Sequence, residues 1–265
     1  MAQNVTAKNH GLGWLPDLPD QRDVIFDGKA ALAKVAAPVP KQVDLRAKCP
    51  PVYNQGALGS CTANALAAAF DFDRHAEGDP FMTPSRLFIY WNERELEGTT
   101  GSDAGARIRD GVKVLKKIGT PPETDWPYDI AEFTDKPNAK SFADARKNEA
   151  LTYQRIVTPL GQPTHDMLAC LASGYPFVSG ITLYESFESP TATKTGVIPM
   201  PGKSESVLGG HAIVVVGFEQ AKQRFICRNS WGKTWGDKGY FYLPFAYLTS
   251  RGLASDMWVI KTVEV

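Results

Sequence analysis

The segment Gln55-Gly56-Ala57-Leu58-Gly59-Ser60-Cys61 runs directly into Thr62-Ala63-Asn64-Ala65-Leu66-Ala67-Ala68-Ala69-Phe70. A tight, glycine-bearing turn delivers one cysteine to the start of an alanine-rich helical stretch. The first turn of a helix carries unpaired N–H groups and about half a positive charge. Both favour a thiolate over a thiol and lower the cysteine pKa. The chain is thereby committed to a reactive thiol at the head of an early helix. Two later segments offer that thiol partners, Gly209-Gly210-His211-Ala212 and Arg228-Asn229-Ser230-Trp231-Gly232.

The 265 residues suffice for one large or two modest domains, and 43% hydrophobic content is ordinary for a globular chain. The 29 basic and 29 acidic residues cancel, so neither nucleic acid nor an acidic membrane is indicated as an obligate partner. No apolar run approaches the roughly 18 residues of a membrane span. Met1 to His10 lacks the basic start and apolar core of a signal peptide, which favours a cytoplasmic location. A trimmed chain would read the same, and export by another route stays open. Asn4-Val5-Thr6 matches a glycosylation sequon and is read as chance without such a leader. The four cysteines, Cys49, Cys61, Cys170 and Cys227, are far apart and form no C-x-x-C metal pattern. Cys227 reads as a buried strand thiol, Cys170 as a helix core residue and Cys49 as a loop thiol. No disulfide, metal or cofactor is expected.

Residues 1–42 differ from the rest. Gly11 to Asp23 is rich in turn formers and has no sustained periodicity, and Pro16 and Pro19 favour an extended path. Yet Trp14, Leu15, Leu18, Val24, Ile25 and Phe26 need somewhere to pack, so this is an extended arm on the main body rather than a disordered tail. Helices are expected over Asn64–His75, after a cap at Thr83-Pro84-Ser85, around Ile108, Val112, Leu115 and Ile118 up to Gly119, and over Thr164–Ser173. Strands are expected at Phe177–Leu183, His211–Phe218, Gln223–Arg228, Gly239–Leu243 and Met257–Val263. A helical half before a strand-rich half gives an α+β chain of two lobes with a cleft between them. Cys61 falls in the first lobe, His211 and Asn229 in the second.

With these segments on the page, the chain resembles the papain (C1) family of cysteine peptidases, in particular its bacterial members. Val43-Asp44-Leu45-Arg46 resembles the start of the mature enzyme. Asn54-Gln55-Gly56 with Gly59-Ser60-Cys61 resembles the oxyanion and nucleophile segment. Gly210 to Phe218 resembles the histidine strand, and Asn229 to Tyr240 the asparagine segment, almost throughout. In that family the His and Asn follow the nucleophile by roughly 130–150 residues. Here the separations are 150 and 168 residues. The resemblance covers about residues 43–265. It implies a helical lobe at about 53–155 and an antiparallel, β-barrel-like lobe at about 156–265, with the active site in the cleft.

The roles implied are those of a thiol peptidase. Cys61 would be the nucleophile, held as a thiolate by the imidazolium of His211. Gln55 and the Cys61 N–H would bind the oxyanion. Asn229 would orient His211, and Trp231 would shield that contact. Gly105 and Gly210 would line the substrate path, and Asp256 would sit near the base of the pocket for the second residue before the cut, where it could accept Arg or Lys. Three positions depart from the family: Leu58 replaces a disulfide cysteine, Thr62 an aromatic residue, and Gly210 a frequent aspartate. The partners expected are a peptide or protein substrate and the chain's own arm, either as an inhibitory propeptide in the cleft or as a permanent structural strand. A monomer is the default. An acyl transferase on the same scaffold and a catalytically silent peptide binder are the competing readings.

Overall fold

The run Ala212–Phe218, which follows His211, is apolar without interruption, so it needs a covered surface on both sides. A computed structural model, which describes residues 10–35, 38–158 and 164–262, shows how this is met. The end of the last expected strand at Val263 and the Asn4–Thr6 sequon lie outside those residues. Strand β4 (Val207–Glu219) is the spine. Ala212, Val214 and Val216 enter one hydrophobic core, and Ile213 and Val215 enter the other. This is the two-residue period of a strand, with each face claimed by a different core. A bulge between Val215 and Gly217 in the pairing with the next strand shifts the phase, so Phe218 joins Ile213 and Val215.

Around β4 the sheet is antiparallel, in the order β2-β7-β3-β4-β5-β6 with β1 also on β4. These strands are β1 (Gln42–Asp44), β2 (Thr152–Ile156), β3 (Phe177–Tyr184), β5 (Arg224–Arg228), β6 (Tyr240–Pro244) and β7 (Ala254–Lys261). The sheet is an open path and does not close into a barrel, because β2 and β6 stand at its two ends.

The first core lies between this sheet and three helices, α2 (Cys61–Ala76), α3 (Arg86–Glu97) and α4 (Ile108–Lys117). α2 is buried from Cys61 through Asp73. Its alanines let it lie close to β4 and its sister helices at once. Ser85 caps α3 by accepting from the Phe88 N–H at 3.2 Å, and Gly98, at φ 70°, ends it. Gly119, at φ 77°, lies just beyond α4 and turns back against the carbonyl of Ala145.

The expected helices and strands are present, with β4 starting earlier than His211. Two elements carried too little sequence signal. β2, Thr-Tyr-Gln-Arg-Ile, is half-buried over most of its length and shows no clean alternation. The arm, expected to be extended, is so only over residues 10–27. It then forms α1 (Gly28–Val35), where Asp27 Oδ1 accepts from the Ala30 N–H at 3.0 Å. Short helices α5 (Ala139–Ala145), α7 (Pro190–Thr195) and α8 (Phe245–Thr249) join the elements, and α6 (His165–Ala172) packs beneath α1.

Leu58, where the family has a disulfide cysteine, is a buried core residue, and all four cysteines are free. The loop before Cys61 is held differently. The Gly59 N–H donates to both carboxylate oxygens of Asp103, at 3.1 and 3.0 Å, and the Tyr90 hydroxyl donates to the same group at 2.5 Å. Asp103 thus ties the nucleophile loop to α3 and to the segment carrying Gly105. Asp103→Ala leaves two donors unpaired, an expected cost of about 2 kcal/mol. In a chain of this size that lowers the thermal midpoint by about 5 °C, measurable by circular dichroism. Asp103→Asn should lose less.

Candidate active site

Cys61 opens α2, so the N–H groups around it have no helical acceptor. Its side chain is fully buried. The backbone N–H groups of Ala212 and Gly13 reach its sulfur. Ala212 follows His211 on β4, so the strand that carries the imidazole also carries the N–H that reaches the thiol. Asn229 lies just past β5, whose Arg228 pairs with Val214 of β4, and the hairpin therefore returns Asn229 to His211. His211 Nε2 is 2.9 Å from Asn229 Oδ1. The Ser230 N–H donates to that same oxygen at 2.8 Å, which fixes it as the carbonyl. His211 therefore carries its proton on Nε2 and a lone pair on Nδ1. Nδ1 is buried and without a hydrogen-bond partner. Trp231 covers the imidazole, with ring centroids 4.9 Å apart.

Gln55 is held from both ends. Its N–H donates to Ser230 O at 2.8 Å, and its Oε1 accepts from the Ser230 hydroxyl at 2.5 Å. That leaves Nε2 as the outward donor. Ser230 is thus a second orienting residue, which nothing about an Asn-Ser-Trp turn signals in advance. Thr62 points away from the cleft and donates to the buried carboxyl of Glu93 at 2.8 Å. Desolvation raises Glu93 well above the usual carboxylate range.

The cleft is filled by the arm. Gln55 Nε2 donates to the Gly11 carbonyl at 2.9 Å. Gly13 and Leu15 flank Ala106 in a short parallel bridge, with bonds of 2.7 and 3.0 Å, and the Trp14 N–H donates to Gly210 O at 3.2 Å. His10 stacks on the outer face of Trp231 at 4.8 Å. Only glycine fits this path. A Cβ on Gly11 would stand 2.2 Å from the Leu58 carbonyl carbon, and one on Gly13 would stand 1.7 Å from Gly59 O. Gly105, at φ 73°, presses against Gly13 O from the other side.

Under this cover burial acts on both side chains, in opposite directions. Burial raises the Cys61 thiol to about 11 and lowers His211 to about 4. Desolvation therefore works against the charged form of each while the arm is docked. Asp256 differs from expectation too. Its Oδ1 holds Arg155 at 3.2 Å and its Oδ2 accepts the Asp17 N–H of the arm at 2.8 Å. Arg155 of the same chain thus sits on one oxygen of this carboxylate, and the arm occupies the other. A cavity of about 640 Å³ opens elsewhere, between α1 and β2, and contains none of these residues. Among the described residues no three His, Cys, Asp or Glu side chains converge as a metal site would.

The family description "Papain family cysteine protease" matches residues 39–258. The structure of xylellain, a cysteine protease from Xylella fastidiosa, superposes with a TM-score of 0.87 at 40% identity over 100% of both chains. A peptidase C1-like protein of Acanthamoeba polyphaga mimivirus is 39% identical over 96% of this chain and 88% of its own length. Chymopapain of Carica papaya is 28% identical over 86% of this chain, which spans 61% of chymopapain's length. The chain belongs to the papain family of cysteine proteases.

Proposed function

We propose that Cys61, His211, Asn229 and Gln55 hydrolyse peptide bonds, and that residues 10–23 keep the site closed until they are displaced. With the arm gone, His211 Nδ1 takes the thiol proton and the Cys61 sulfur attacks the substrate carbonyl carbon. The oxyanion receives hydrogen bonds from Gln55 Nε2 and the Cys61 N–H. His211 gives its proton to the departing nitrogen as the C–N bond breaks, leaving a thioester. Water, deprotonated by His211, attacks that thioester. The C–S bond then breaks and the thiol is restored. Asn229 holds the ring through both proton transfers.

One observation carries the reading. The Gly11 carbonyl takes Gln55 Nε2 while the Gly13 N–H takes the Cys61 sulfur, so the arm sits on both groups a substrate must reach. The same arm is anchored farther on. Phe26 is buried in the second core, and its N–H donates to Arg155 O at 2.9 Å. Residues 10–23 thus act as the inhibitory part, and Phe26 with α1 as a structural attachment to a catalytic domain spanning 43–265.

Gly13→Ala separates the two parts, because its Cβ cannot pass Gly59 while Phe26 stays in place. Its Cys61 should be alkylated by a peptidyl epoxide about tenfold faster than in the unaltered chain, or more, with Cys61→Ala as the unlabelled control; each tenfold corresponds to about 1.4 kcal/mol of docking lost. Equal rates would show that the arm does not guard the thiol. In the Gly13→Ala protein, Gln55→Ala should lower kcat by about 100-fold for want of one oxyanion donor.

The arm also titrates. Asp17 accepts from the Arg109 N–H at 3.1 Å and from Trp258 Nε1 at 2.9 Å. Burial, and then the Asp256 charge, raise it from 3.8 to about 6. A group whose docked pKa is raised favours docking fully below its free value and loses that contribution as pH climbs through the docked value. His10 acts oppositely, since burial lowers its pKa and protonation opposes docking. His211, which burial also lowers, acts with His10, so the Asp17 contribution is isolated against Asp17→Asn. Cys61 alkylation of the unaltered chain relative to the Asp17→Asn chain should rise about tenfold between roughly pH 4.5 and 7. A flat ratio would show that Asp17 does not titrate with docking.

A further inference from the structure

Arg109 is the second residue of α4, and its side chain is only 6% exposed. A buried cation is costly unless acceptors pair with it. Here the acceptors all come from the arm. Arg109 Nε donates to Asp23 Oδ1 at 3.0 Å and Nη2 to Asp23 Oδ2 at 2.6 Å, a two-point fork. Nη1 donates to the Leu18 carbonyl. Among the described residues of the catalytic domain, none accepts from this guanidinium.

Further donors face the same place. The Arg109 N–H, in the first turn of α4 and so without a helical acceptor, reaches Asp17 Oδ1 at 3.1 Å. Trp258 Nε1 reaches Asp17 Oδ2 at 2.9 Å, and Arg155 Nη1 reaches Asp23 Oδ2 at 2.9 Å. Both guanidiniums lie over the Trp258 ring, 5.5 Å from its centroid for Arg109 and 5.9 Å for Arg155. α4, β2 and β7 thus build one patch of donors, and the arm meets it with two aspartates.

Displacing the arm removes both aspartates at once. The patch then keeps two arginines against one carboxylate, Asp256, which is held to Arg155 at 3.2 Å. Arg109 is left without a partner, and a guanidinium cannot shed its charge by losing a proton. A carboxylate arriving from elsewhere would restore the fork. The patch also adjoins the cleft. The Leu15 N–H donates to Ala106 O at 3.0 Å, and Asp17 follows two residues later, a span of about 7 Å at most. A chain lying in the cleft can therefore reach the patch with its next few residues, as the arm does.

Resting on the peptidase reading above, we propose that Arg109, Arg155 and Trp258 form a second binding site, which selects substrates carrying Asp or Glu a few residues beyond the stretch held in the cleft. The arm is the resident example of such a ligand. A basic extension would meet two like charges there.

The test uses the full chain carrying Gly13→Ala and Asp23→Ala, which loosens the arm in the cleft and unhooks it from Arg109. Quenched fluorescent peptides share one cleavable core. They carry either Gly-Asp-Gly-Gly-Asp-Gly or Gly-Asn-Gly-Gly-Asn-Gly, in one series before the cut and in another after it. In the series whose extension covers the patch, the aspartate peptide should show a kcat/KM about tenfold higher, or more, the scale of a hydrogen bond to a charged group. Adding Arg109→Gln should bring that ratio to one. Arg109→Lys keeps the charge and loses the fork, so it should lower the ratio partway, and it serves if Arg109→Gln does not fold. A ratio of one in both series, or a ratio that neither substitution lowers, overturns the patch while the peptidase reading stands. Failure to cut any peptide defeats the peptidase reading and the patch with it.

Discussion

The site depends on main chain meeting main chain with no side chain between. Gly11 and Gly13 of the arm pass Leu58 and Gly59 on one side, and Gly105 closes from the other. At such distances a single methyl group displaces a whole segment, because buried backbone cannot yield as a flexible side-chain end does. The cleft is therefore specified by absent Cβ atoms as much as by present functional groups. The oriented groups, Gln55 on Ser230 and His211 on Asn229, sit on rigid surroundings that this passage leaves undisturbed.

Burial and charge work against each other here. A thiol at a helix N-terminus is easily ionised when water or a cation is near, and the sequence feature alone leads to that expectation. Beneath the arm both side chains are fully buried. Desolvation acts on Cys61 and His211 in opposite directions and disfavours the charged form of each. On the proposed reading, ionisation of the pair is coupled to uncovering. The chemical readiness of the thiol and its accessibility become one variable.

What could be read beforehand follows from where the information lies. Cys61 announced itself locally, through turn glycines followed by alanines. His211 and Asn229 did so through a buried run and a turn that the β4–β5 hairpin brings together. The course of the arm was not legible. Gly11-Leu12-Gly13 has no period, and its partners lie far along the chain, at Gln55, Ala106 and Gly210. Asp256 shows the same limit. Its place near the cleft was inferable, but its pairing with Arg155 arises from β2 and β7 lying side by side, and β2 has no pattern that marks it as a strand. α1 was missed because the proline-rich approach to it argued for extension throughout.

The arm that lies in the cleft belongs to the same molecule, and Phe26 pins it a short distance away. A tether of this kind sets a local concentration on the order of millimolar, and that concentration is independent of how much protein is present. Diluting the protein therefore cannot empty the cleft, and on the proposed reading a soluble peptide competes with a segment that never diffuses away. Severing the chain between Trp14 and Phe26 would turn the same contacts into an ordinary bimolecular complex, whose occupancy falls with every dilution.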